Sequence, residues 1–224
     1  MRRASAPLGR AVIGLVLIFF PSLASALTLD GVVARLESTY ARITTLRAEF
    51  VQSAFNKSFG QTIEAEGVVY LKKPGRMRWE YQTPSPQQIV SDGTSIWVYT
   101  PELNQVNVGD APRALAGPAG SFLAGLGRVR EEFTVRFLNP LKVDQAGNPL
   151  IDLRPKVPTA VLTRLILSVD REQYLVRKAV LYDQFDNTVT MQFTEIGVNP
   201  TLGDELFVFT PPPGVAVVPL DPGR

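Results

Sequence analysis

The chain has 224 residues, 45% of them hydrophobic, and contains neither Cys nor His. That composition excludes disulfides, an N-terminal lipidated cysteine, Ser-His-Asp and Cys-His nucleophilic sites, and nearly every zinc site. Its 23 basic residues are balanced by 21 acidic ones, so no broad basic surface for nucleic acid is expected.

The opening "MRRASAPLGRAVIGLVLIFFPSLASA" reads as a secretory signal peptide over residues 1–26. Arg2, Arg3 and Arg10 form a positive region, Ala11 to Phe20 an apolar run, and Ala24-Ser25-Ala26 a small-residue cleavage site. The run is too short to span a bilayer comfortably. Cleavage removes three Arg and no acid, leaving 198 residues with 20 basic and 21 acidic, a formal charge of −1. The expected product is a single domain over 27–224, soluble in a bacterial periplasm.

Residues 28–46 predict an amphipathic helix, with Thr28 as cap and Leu29, Val32, Val33, Leu36, Tyr40 and Ile43 at helical spacing. Beyond it the period changes to two. Strands are expected over 47–54, 63–72, 77–81, 87–91, 95–100 and 105–108, with tight turns at Lys73-Pro74-Gly75-Arg76 and Asp92-Gly93. More strands follow over 133–138, 150–153, 165–169, 176–183, 188–196 and 207–210. An antiparallel sheet of roughly ten or more strands tends to curl.

One segment, "GDAPRALAGPAGSFLAGLGRV" from Gly109 to Val129, breaks this pattern. Asp110 caps one short helix, Gly117-Pro118 opens a second, and Gly127 suits its end. Phe122, Leu123 and Leu126 are its apolar residues. Such helices inside a β protein suit a plug over the concave side of the sheet, either as a fixed element or as a movable lid.

No phosphate-binding loop and no dinucleotide fingerprint is present, and no cofactor or metal is expected. Asp170, Glu172, Asp183, Asp186 and Glu195 are the candidate carboxylates. Asp170 and Asp183 flank strands and read first as turn residues. No enzyme activity is expected. In "KKPGRMRWEYQTP", Met77, Trp79 and Tyr81 share one strand face while Arg76, Arg78 and Glu80 share the other. Period alone does not separate an apolar core from an apolar cavity wall. Met is pliable, and Trp and Tyr offer broad walls with one polar tip each. The pattern also leaves open which of Ile96/Val98 or Trp97/Tyr99 faces the same side.

The ordered set "LRAEFVQ", "GVVYLKKPGRMRWEYQTPSPQQIVSDGTSIWVYTPELNQV" and "VLYDQFDNTVTMQFTEIGVNPTLGDELFVFTPPPGV" resembles the outer-membrane lipoprotein carrier family, the LolA type. The resemblance covers nearly all of 27–224. It implies a mainly β fold: a curled, incompletely closed antiparallel half-barrel with an N-terminal helix and short lid helices over an apolar cavity. It implies a monomeric carrier that takes triacylated lipoproteins from an inner-membrane ABC transporter to an outer-membrane acceptor lipoprotein. The family's cavity positions fall on Met77, Trp79, Tyr81 and Ile89, and its lid on the segment of Phe122 and Leu123, with Leu126 beside them. The basic residue before Pro is Lys73, expected as a latch donating to lid backbone from the strand's rim. Where the family's late hairpin carries an Asp-x-x-Gly, this chain has Asp186-Asn187. A periplasmic lipid-binding or stress-sensing regulatory domain of the same fold is the alternative reading.

Overall fold

The computed structural model describes residues 27–123, 129–139, 141–157 and 159–220. The leader of residues 1–26, and with it the cleavage site, lies outside the described residues, as does Leu126. Leu123 is the last described residue of a helix, but its side chain is not described.

Helix α1 spans Leu29–Arg42 and begins where Thr28 Oγ1 accepts from Gly31 N at 3.2 Å. Val32, Val33, Leu36 and Tyr40 recur on one face and are buried there, which is the stripe that seats it on a sheet. The first half of the sheet is a meander of β1 (Thr45–Asn56), β2 (Gln61–Lys72), β3 (Arg76–Thr83), β4 (Gln87–Asp92), β5 (Ser95–Thr100) and β6 (Gln105–Asp110). Short helices α2 (Ala111–Ala114), α3 (Gly117–Leu123) and α4 (Val129–Glu132) come next. The second half is β7 (Phe133–Phe137), β8 (Leu150–Pro155), β9 (Arg164–Val169), β10 (Val176–Tyr182) and β11 (Thr188–Val198), followed later by β12 (Ala216–Pro219).

These twelve strands form one open sheet in the order β12-β6-β5-β4-β3-β2-β1-β11-β10-β9-β8-β7. The two 12-residue strands β1 and β2 are its spine, paired from Thr45↔Lys72 to Asn56↔Gln61. Beside them Gly67 sits at a register shift against β3. A Cβ there would lie 1.9 Å from the Glu80 carbonyl oxygen and 2.9 Å from the Phe50 ring, so this approach of β2 to β3 needs glycine.

Turn chemistry follows the sequence closely. Asp92 Oδ1 accepts from Thr94 N and Ser95 N, both at 2.7 Å, while Gly93 takes φ +96°. The late hairpin lacks glycine, and Asp186 takes the left-handed conformation instead, at φ +60°, a region Asp tolerates better than most residues. Asp183 holds that turn by accepting from Phe185 N, Asn187 N and Asn187 Nδ2. Asp170 accepts from Glu172 N and Gln173 N in the same manner.

The C-terminal part departs from expectation. Residues 207–210 do not form a strand. Asp204–Phe207 is a 3-10 turn packed on β3 and β4, and its Phe207 is 1% exposed. Phe209 follows, with its ring centroid 5.5 Å from Tyr99 and 6.3 Å from Trp97. The proline run 211–213 has no N–H to give to a ladder. The last strand is β12, which adds parallel to β6 (Val217↔Val106), the one parallel pairing among the described strands. Trp97 and Tyr99 thus face outward, and Ile96 joins the core beneath the helices.

Candidate functional site

Strand parity sets what lies beneath the helices. Pairing Leu46↔Leu71 and Ala48↔Val69 on β1/β2, and Val69↔Trp79 on β2/β3, puts these side chains on one face of the sheet. Phe50↔Phe193 brings β11 to the same face. Leu46, Ala48, Val69, Leu71, Trp79 and Phe193, with Val176 and Ile196, wall a cavity of about 40 Å³, roofed by Tyr40 of α1 and Phe122 of α3. That volume has room for a few water molecules and no more. In this closed form the site is an apolar seam, and a larger guest requires the cover to move.

The roof is tied down at identifiable points. Val176 N donates to Tyr40 Oη at 3.1 Å, and burial raises the Tyr40 phenol to about 12 in spite of that hydrogen bond. Arg130, at the start of α4, reaches back to α1: its N and Nη1 donate to the Glu37 carboxylate at 2.9 and 3.2 Å, and its Nη2 to the Asp30 carbonyl at 2.9 Å. Ser121 Oγ of α3 donates to Glu132 Oε1 at 2.8 Å.

The residues singled out from the sequence fall into distinct places. Trp79 and Phe122 line the cavity. Met77, 1% exposed, packs in the adjoining core. Ile89 sits opposite Trp79 on β4, half-buried against that core. Tyr81 lies toward the far rim, where its hydroxyl donates to Gln52 Oε1 at 3.1 Å and its ring meets Phe50 edge-on with centroids 5.0 Å apart. It lines a separate groove with Gln52, Pro84 and Gln87.

Lys73 Nζ donates to the backbone carbonyl of Tyr40, and burial lowers the lysine's pKa. Its partner is therefore α1 and not the 109–129 segment expected from the sequence. The Tyr40 carbonyl also accepts from Ile43 N, the C-cap of α1, at 3.3 Å, so the lysine is a second donor to a carbonyl in the helix's last turn. The segment beyond Leu202 is held from the opposite face of the same strands. Lys72 Nζ and Arg76 Nη1 converge on Asp204 at 2.6 and 2.5 Å, and Arg78 Nη1 donates to the Leu206 carbonyl at 3.2 Å.

Sequence reasoning missed most of the cavity wall, namely Leu46, Ala48, Val69, Leu71, Val176, Phe193 and Ile196. The signal lay in the β1–β2 and β2–β3 hairpins, whose pairing extends the parity of Trp79 to its neighbours. Of the carboxylates named from sequence, Asp170 and Asp183 hold turns, Asp186 is bound to Lys57 at 2.7 Å, Glu172 lies 3.8 Å from Arg171, and Glu195 is exposed within β11 at φ +47°. Among the described residues the one fully buried carboxylate of the sheet is Asp152, 1% exposed, with Arg164 Nε and Arg136 Nε donating to it at 2.8 Å each. Burial pushes its pKa up, but the hydrogen bonds and charges of Arg164 and Arg136 outweigh this and hold it below the usual carboxylate range.

An unclosed twelve-stranded sheet with one face roofed by helices over an apolar seam defines a half-barrel protein with a hydrocarbon-lined pocket. The model of the outer membrane lipoprotein carrier protein LolA family matches residues 41–210, and the chain belongs to that family. It is 31% identical to an outer-membrane lipoprotein carrier protein of Dechloromonas aromatica, over 84% of this chain and 88% of that one. It is also 31% identical to one of Nitrosospira multiformis, over 91% and 95% of the two chains. Among solved structures, an uncharacterized conserved protein of Thermus thermophilus shares the fold, with a TM-score of 0.54 at 13% identity, covering 85% of this chain and 98% of that one. Among the described residues no helix is long and apolar enough to cross a membrane.

Proposed function

We propose that this protein is a periplasmic carrier that takes the acyl chains of lipoproteins leaving the inner membrane into the seam between its sheet and helices. It then delivers them to the outer membrane. The cleaved, single-domain form begins at Leu27 and works as a monomer without catalysing a reaction. Its cargo is triacylated lipoprotein, received from an inner-membrane ABC transporter and passed to an acceptor lipoprotein at the outer membrane.

The observation that carries this reading is the apolar seam under a jointed cover. Exposing an acyl chain to water costs about 0.8 kcal/mol per CH₂, so three long chains need a continuous apolar shelter while crossing an aqueous compartment. Tyr40 and Phe122 roof the seam from two separate helices, and Gly117, at φ +82°, begins α3 with no side chain to hinder its movement. Parting the helices from the sheet enlarges the site without dismantling the strand ladder. The bonds of Tyr40, Arg130 and Lys73 keep the seam shut when no cargo is present.

The test is purification of the protein from periplasm and mass spectrometry of what accompanies it. The expected result is one carrier per acylated lipoprotein and an N-terminus at Leu27. Recovery of an uncleaved membrane-bound form, or of carrier that never associates with acylated protein, contradicts the reading.

A further inference from the structure

Trp79 is 4% exposed, and its indole Nε1 finds no hydrogen-bond acceptor among the described residues. Its ring packs edge-on against Phe50 at 5.2 Å and near Phe193 at 6.4 Å between centroids. Of the side chains that line the seam, two carry a heteroatom, those of Tyr40 and Trp79. The Tyr40 oxygen is engaged by Val176 N. Among the side chains that line the seam, the Trp79 N–H is therefore the one donor left unused.

Buried Trp nitrogens ordinarily have partners, and a buried donor without one is costly. A phenylalanine would supply a similar apolar wall without that cost. Hydrocarbon filling the seam would leave the donor as isolated as it is in the closed form. An acceptor must therefore arrive with the guest, close to its hydrocarbon and at the depth of β3. The linkage that joins an acyl chain to its glyceryl or amino carrier is such a group, because its carbonyl oxygen sits directly on the chain.

We propose that Trp79 Nε1–H is a donor for the linkage carbonyl of an acyl chain, so that the seam selects ester- or amide-linked acyl groups over ether-linked alkyl chains of the same length. This rests on the carrier reading above and adds the chemistry of the recognised group. Trp79 would fix how far the chains enter, while the rest of the wall reads only their hydrocarbon.

The test uses the purified protein and two synthetic lipopeptides, one whose cysteine carries a diacylglyceryl thioether and one in which both esters are replaced by ethers. The two indole N–H resonances, from Trp79 and Trp97, are assigned by difference with Trp79→Phe and Trp97→Phe. The expected result is a downfield shift of the Trp79 indole proton with the ester ligand and not with the ether, and binding of the ester ligand about three- to tenfold weaker in Trp79→Phe. The ether ligand should bind wild type and Trp79→Phe alike. The wild-type shift decides the matter even if Trp79→Phe folds poorly. Equal shifts and equal affinities for the two ligands overturn this inference and leave the carrier reading standing. Binding of neither overturns both.

Discussion

Lys73, at the head of the β2–β3 turn, donates its ammonium to the carbonyl of Tyr40 in the last turn of α1. Tyr40 is thereby held at both ends, by the lysine at its backbone and by Val176 N at its hydroxyl. The residue that roofs the cavity is fixed to the sheet from two directions. Replacing Lys73 with Leu removes one of them. Because Lys73 is largely open to water, the loss in global stability should be about 1 kcal/mol or less. The local effect should be larger: amide exchange across 40–43 speeds up and an apolar dye binds more readily. Lys73→Arg keeps a donor on this carbonyl and should restore slow exchange. Unchanged exchange in Lys73→Leu would remove the latch from the account.

Phe50 and Phe122 allow core and cover to be compared. Phe50, 1% exposed, lies between Trp79 and Tyr81, and Phe50→Ala should cost about 3–5 kcal/mol. Phe122 sits on a seven-residue helix at the edge of a cavity that already exists. Its truncation should cost clearly less in urea unfolding, yet reduce lipopeptide binding more than its stability loss explains.

Gly67→Ala should be among the most damaging single substitutions. The added methyl meets the Glu80 carbonyl oxygen at 1.9 Å, a backbone atom that moves only if β3 moves. The expected loss is about 3 kcal/mol, read as a lower midpoint in denaturant with an unchanged slope.

Asp152 gives the pH dependence. Its folded pKa lies below the ordinary value, because hydrogen bonds from Arg164 and Arg136 outweigh the effect of burial. A depressed carboxylate contributes stability that is complete above the unfolded pKa of about 4 and is lost as pH falls through the folded value. Asp152→Asn should therefore be less stable than wild type by about 1–3 kcal/mol at neutral pH, with the gap closing below about pH 4. Thermal melts across that range check the sign. A gap that widens with acid would contradict it.

The meander was readable because its signals are local. Ser95–Thr100 is bounded by Asp92-Gly93 on one side and Pro101 on the other, and it forms over those residues. Thr28 caps α1 as its position indicates. What escaped the sequence depends on partners distant along the chain. The β12–β6 pairing joins residues more than a hundred positions apart, and nothing in "AVVP" specifies a parallel neighbour. Phe207 and Phe209 alternate as a strand would, yet Phe207 is buried at the end of a 3-10 turn and Phe209 packs beside Trp97 and Tyr99. Lys73 was readable as a donor from its place at a strand end, but the carbonyl it meets belongs to a helix that only the folded sheet brings near. Asp152 reads as one acid in an apolar strand until β7 and β9 place arginines beside it.

The central claim is that acyl chains occupy the seam beneath the helices, and photo-crosslinking in living cells tests it most directly. A photoreactive phenylalanine analogue replaces Phe193, which lines the seam, or Phe59, which is 75% exposed on the β1–β2 turn. The account predicts that Phe193 captures lipoprotein through its acyl chains, that removal of those chains abolishes the adduct, and that Phe59 gives none of this acyl-dependent product. Absence of acyl-dependent capture at Phe193 in folded protein, or equal capture at Phe59, would contradict it.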